Sequence, residues 1–170
     1  MTKQITYPNF IPRIFSTTLD MACLSLLSVP IMNFLREQYM IRAFKTYMIN
    51  HGINTKDTTA VANIISSPEF QGTLTASDFL SYLFVMMSAQ VVLMGCYFIY
   101  FWHAKGWTPG KYLAGMRIVD DITHQKPTLW QAIKRFIGCS LFLVGIWFIF
   151  FTEHKRTLHD KIAGTVVIKR

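Results

Sequence analysis

An apolar run from Ile11 to Leu35 carries Arg13 at its start and Asp20 two helical turns inside it, and these two charges restrict what the chain can become. At about 100° per residue a spacing of seven returns to nearly the same helical face. Arg13, Ser16, Thr17, Asp20 and Cys23 therefore form one polar stripe on an otherwise apolar helix. An ionised carboxylate deep in hydrocarbon costs about 2.5–3.5 kcal/mol or more. The stripe must then face protein or water, with Asp20 neutral, paired or lining a wet cavity.

The composition places that helix in a membrane. Of 170 residues, 52% are hydrophobic, 15% aromatic and 15% charged, against about 25% charged in an average soluble domain. The stretches Ile14 to Leu35 and Phe79 to Trp102 amount to roughly 33 and 36 Å of helix, enough to cross a ~30 Å hydrocarbon core. The first is too long for a signal peptide, carries Asp20, and is followed by no small-x-small cleavage site. Cys23, Cys96 and Cys139 all lie inside apolar runs and read as packing residues, not as a disulfide framework or metal ligands. The net charge of +8 reads as a record of topology, because basic residues collect on the cytoplasmic side; nucleic acid is not an expected partner.

Taken in order, Pro12 suits the first turn of a helix, and Arg13 alone reads as an anchor snorkelling to the interface. Residues 36–78 form an insert of balanced charge on the extracytoplasmic side. Within it Met40, Ile41, Phe44, Tyr47 and Met48 recur at helical spacing up to Gly52. A short helix is predicted from Thr58 to Ser66 with Asp57 as N-cap and Pro68 beyond its end, and Thr75 with Asp78 forms a capping-box variant that opens the second span. That span carries a small-residue seam, Ser81, Ser88 and Gly95, and one strongly polar interior group, Gln90.

After the second span, Gly106, Gly110, Lys111 and Tyr112 lack the spacing and the hydroxyl of a phosphate loop. Gly115 to Asp120 reads as a strand, Asp121 to Lys126 as a polar turn, and Thr128 with Gln131 as a capping box opening an amphipathic helix. The apolar segment 136–151 is roughly 24 Å as a helix, short for a span. If it dips in and returns, 13 of the 17 Lys and Arg residues lie inside and 4 outside; if it crosses, the division is 8 against 9. The first division obeys the orientation rule, so a re-entrant hairpin bent near Gly145 is expected. The tail ends in an alternating strand, Thr165 to Lys169, a natural partner for Gly115 to Asp120. His154 and His159 lack the i, i+4 spacing of a helical zinc pair. Asp160 is expected to cap a helix or pair with a base.

Arg13 and Asp20 in the first span, with Asp160 in the segment from Arg156 to Thr165, resemble the signature of the RDD family of membrane proteins, named for one arginine and two aspartates. The stretch from Gly106 through Thr108, Gly110 and Lys111 to Gly115, Arg117 and Val119 is similar to the family's segment after its second helix. The resemblance covers residues 8–35 and 79–170. It implies Arg13, Asp20 and Asp160 as the family's signature residues. It implies no established activity, with transport as one reading.

The fold expected is an all-α membrane protein with two transmembrane helices, a short re-entrant or third hydrophobic segment and a small cytoplasmic β-pair. It is expected to form a single unit over residues 1–170, in a bacterial cytoplasmic membrane with its N-terminus inside. A transporter would use Asp20 with Ser16, Thr17 and Gln90 as an intramembrane polar site. The alternative is an assembly or scaffold component, with Asp20 locked to a basic partner for which Arg135 is the first candidate. No catalytic constellation, cofactor or metal site is expected. The partners expected are the lipid bilayer and a homo-oligomer or other membrane proteins.

Overall fold

The computed structural model describes residues 6–54, 56–139 and 157–170. Its helices are α1 (Phe10–Ala43), α2 (Lys45–Asn50), α3 (Thr58–Ile65), α4 (Pro68–Thr73), α5 (Ala76–Tyr100), α6 (Pro109–Leu113), α7 (Leu129–Cys139) and α8 (Leu158–Ala163); its strands are β1 (Met116–Asp120) and β2 (Thr165–Lys169). A π-helical turn, Phe101–Lys105, extends α5 and ends at Gly106 in the left-handed region with φ 75°. Such a conformation is open to glycine without the penalty a Cβ would bring.

Among the described residues two helices are long and apolar enough to cross a membrane, Phe10–Ala43 and Ala76–Lys105. Both run past the limits expected from apolar content alone, because helix continues into the polar flanks. The hairpin expected near Gly145 lies outside the described residues, as does His154.

The chain divides into two compact units, one formed by Met1–Ser25 with Leu93–Arg170 and the other by Leu26–Val92. In the second, Met48, Val61 and Phe70 are fully buried. Phe70 receives the rings of Phe44 and Tyr47 edge-on at 5.0 and 5.2 Å between centroids. Asp57 caps α3 by accepting from the backbone N–H groups of Thr59 and Ala60. α3 ends at Ile65 with Pro68 beyond its end, as expected, and Pro68 in turn begins α4 behind Ser67, whose hydroxyl accepts from Phe70 N–H; proline fits a first helical turn. Thr75 and Asp78 form their capping box.

The first unit holds the β-pair. β1 and β2 run antiparallel with Met116 opposite Lys169 and Asp120 opposite Thr165. One face of the pair packs Ile118, Met116 and Val167 with Leu24, Phe98, Trp102 and Ala132; the other packs Val119, Val166 and Ile168 with Tyr7. The turn after β1 is built by Asp120, which accepts from the N–H groups of Ile122 and Thr123 and from the Gln131 side chain. Thr128 and Gln131 close the capping box of α7. In the expected seam, Gly95 is buried against the Phe136 ring, whereas Ser81 and Ser88 are exposed.

Candidate functional site

Among the described residues the buried charged side chains are Arg13, Asp20, Lys111, Arg135 and Asp160. All belong to the first unit, and they fall into two clusters built on the two carboxylates.

The Asp20 cluster begins with the turn Thr108-Pro109-Gly110-Lys111. Thr108 is the N-cap of α6 and Pro109 its first residue. A proline there has no N–H to offer, so the first free amide at this helix start is that of Gly110, and it donates to Asp20 Oδ1 at 2.7 Å. The Thr108 hydroxyl donates to Asp20 Oδ2, and Lys111 Nζ stands 3.5 Å from the same oxygen. This approach is possible because residue 110 has no side chain: a Cβ there would lie 2.1 Å from the Ser16 carbonyl oxygen and 2.9 Å from Asp20 Oδ1. Lys111 is deeply buried, and burial pulls its pKa below the usual lysine value while the Asp20 carboxylate opposes that shift.

The second cluster is centred on Asp160, at the third position of α8 behind Thr157. Arg13 Nη1 donates to Asp160 Oδ2 at 2.9 Å, Arg135 Nη2 lies 2.5 Å from Oδ1, and the Thr157 N–H donates to Oδ2 at 3.2 Å. Arg135 also donates from Nη1 to the Thr165 hydroxyl at 2.7 Å, and its guanidinium lies 5.2 Å from the centre of the Trp102 ring. One carboxylate thus ties α1, α7 and α8 together, and through Thr165 it reaches β2. Burial alone pushes the Asp160 carboxyl up; the Arg135 and Arg13 charges more than offset it and hold it below the usual carboxylate range. His159 Nε2 is 3.9 Å from Asp160 Oδ1, but burial lowers its pKa to about 4, so the ring is neutral at pH 7.

Several expectations need correction. Asp20 pairs with Lys111, not with Arg135, because Arg135 is already engaged by Asp160 and Thr165. Arg13 is no snorkelling anchor: it is buried and pairs with Asp160. Ser16 and Thr17 turn their hydroxyls back onto the Arg13 carbonyl at 2.8 and 2.9 Å, which satisfies their protons within α1. Gln90 lies in the second unit, beside a groove of about 380 Å³ lined also by Ser28, Met32, Asn33 and Met86. Asp160 takes both roles expected of it, capping α8 and pairing with bases.

In the sequence Thr108, Gly110 and Lys111 are legible as part of the family-like segment, and Gly110 and Lys111 otherwise only as a phosphate loop that their spacing excludes. The physical signal is Pro109 followed by glycine and lysine: a helix start that lacks its first amide, can approach another backbone closely, and carries a cation.

The model of the RDD family matches residues 7–164. Over 172 aligned residues the chain is 42% identical to "Uncharacterized protein RP437" of Rickettsia prowazekii (strain Madrid E), covering 99% of each chain. It is 27% identical over 150 residues to "Protein FAM8A1" of Homo sapiens, a match that covers 78% of this chain and 36% of the human one. No solved structure gives a significant match. With Arg13, Asp20 and Asp160 all committed to the two buried clusters, and the family match running through both, the chain belongs to the RDD family.

Proposed function

We propose that this protein is a non-enzymatic assembly component of a larger membrane system, with α1 and α5 crossing a bacterial cytoplasmic membrane and its N-terminus inside. The membrane part of the reading is supported by the exposure of large apolar side chains along both helices, among them Leu26, Leu80, Phe84 and Met87. A water-soluble surface does not sustain so much apolar area. The division of basic residues supports the orientation.

The observation that carries the assembly reading is the saturation of Asp20. Both oxygens are engaged by Thr108, Gly110 and Lys111, and the side chain is wholly buried. A proton or cation relay needs a carboxylate that exchanges partners with water; a carboxylate held by three protein donors fixes an arrangement instead. The protein's own fold uses Asp20 and Asp160 to hold the first unit together, leaving the exposed apolar side chains of α1 and α5 as the surface offered to lipid and to neighbouring subunits.

Flux measurements on vesicles reconstituted with the full chain test this against transport. The assembly reading expects proton and cation flux equal to that of protein-free vesicles at every pH. A pH-dependent flux that Asp20→Asn abolishes at an unchanged folded level overturns it.

A further inference from the structure

The outward face of α7 has a character that the two buried clusters leave unused. With Trp130 as reference, about 100° per residue places Ile137 at roughly −20°, Ile133 at −60° and Lys134 at +40°. Trp130 is 63% and Ile137 62% exposed, and Leu129 flanks them at 51%. Lys134 Nζ lies over the Trp130 ring, 5.6 Å from its centre. The opposite face is committed, with Ala132, Arg135 and Gly138 buried. The helix therefore has an apolar stripe edged by a single cation, outside the core.

The electrostatic setting is predominantly basic. The exposed Lys, Arg, Asp and Glu side chains among the described residues of this unit are all lysine or arginine. Of its described aspartates, Asp20 and Asp160 are buried, while Asp120 and Asp121 are half-buried in the turn between β1 and α7, with Asp120 accepting from Gln131 and from its own turn. A tryptophan with a lysine on its flank, on an apolar stripe of a mainly basic surface, matches the boundary between acyl chains and headgroups. Lysine near such a surface attracts anionic lipid.

We propose that the Trp130, Lys134 and Ile137 face of α7 is a binding surface for anionic phospholipid: the apolar stripe rests among acyl chains and Lys134 meets the headgroup phosphate. This rests on the membrane reading above and adds to it a lipid class and a place.

The test uses the full chain reconstituted in vesicles of phosphatidylcholine containing, at equal mole fraction, either phosphatidylglycerol or phosphatidylcholine with brominated acyl chains that quench tryptophan on contact. Trp130→Phe and Lys134→Gln alter exposed positions, and circular dichroism checks that both variants keep the helical content of the parent. The part of the quenching lost in Trp130→Phe reports Trp130. It is expected to show a preference for brominated phosphatidylglycerol consistent with a roughly five-fold local enrichment, the factor one lysine near an anionic surface supports, and Lys134→Gln is expected to abolish that preference. If quenching is the same with and without Trp130, the face is covered by protein and the proposal fails. Equal quenching of Trp130 by both brominated lipids also overturns it. Absence of quenching in every variant marks failure of the membrane reading itself.

Discussion

Gly110 and Ser16 approach so closely that a Cβ on residue 110 would stand 2.1 Å from the Ser16 carbonyl oxygen. The contact joins the start of α6 to α1 and brings the Gly110 amide onto Asp20. A methyl group cannot be absorbed here by a side-chain rotation, since the obstruction is helical backbone. Gly110→Ala is therefore expected to separate α6 from α1 and to destabilise the fold by at least the 1–3 kcal/mol typical of overpacking, about 3 kcal/mol being the better guide for a backbone clash. Unfolding by SDS from mixed micelles measures it; a change below about 0.5 kcal/mol, typical of an uninvolved surface site, would mean that the two helices do not meet.

Asp20→Asn keeps an acceptor for the Gly110 amide but strands the Lys111 ammonium in a buried place. Removing one partner of a buried pair costs about 3–5 kcal/mol, so the single variant is expected to lose folded protein. Lys111→Met on the same background removes the stranded charge while retaining length and apolar volume. The double variant is expected to recover at least half of the loss; additive losses would show that Lys111 is not the compensating charge.

Local rules carried much of the fold. The caps at Asp57, at Thr75 with Asp78 and at Thr128 with Gln131 are contacts within three residues, and the period-two pattern of 165–169 belongs to a strand whose partner is the other short strand of the unit. The requirement that Asp20 find company followed from solvation alone. Which company could not be read the same way, because three buried cations compete for two carboxylates and the choice depends on geometry that no spacing encodes. Arg135 is on an amphipathic helix and has the right charge; Asp160 and Thr165, distant in sequence, claim it first. The π-helical turn at 101–105 left no signal beyond the glycine that ends it.

The Asp160 cluster predicts an unequal pair of substitutions. Arg13→Gln leaves Asp160 neutralised by Arg135, whereas Asp160→Asn strands both guanidiniums. Asp160→Asn is expected to be the more damaging, at the upper end of the ~3–5 kcal/mol range for a broken buried pair. Adding Arg13→Gln to it should cost little more, because the interaction Arg13 serves has already gone. Thermal or SDS unfolding of the two singles and the double closes the cycle; equal and additive losses would place Arg13 and Asp160 in separate interactions.

His159 gives the fold a dependence on pH with a definite sign. Its Nε2 lies 3.9 Å from Asp160 Oδ1, and its Cα and Cβ sit so close to Gly138 of α7 that a Cβ there would come within 3.1 Å of both. Burial lowers its folded pKa to about 4, from about 6.5 in an unfolded chain. The unfolded state therefore binds the proton more readily, and stability from this group is full above about pH 6.5 and falls as the pH drops toward 4. The loss across that window is on the order of 3 kcal/mol. Asp160 acts in the same direction but later: its folded pKa is held low, so its contribution persists above the unfolded carboxylate pKa of about 3.9 and is lost only as the pH falls below it. His159→Gln should flatten the stability profile between pH 6.5 and 4 and leave the steeper decline below pH 4 in place. A profile that keeps its slope in the upper window without the imidazole would assign that slope to another group and make the buried neutral ring at 159 irrelevant to it.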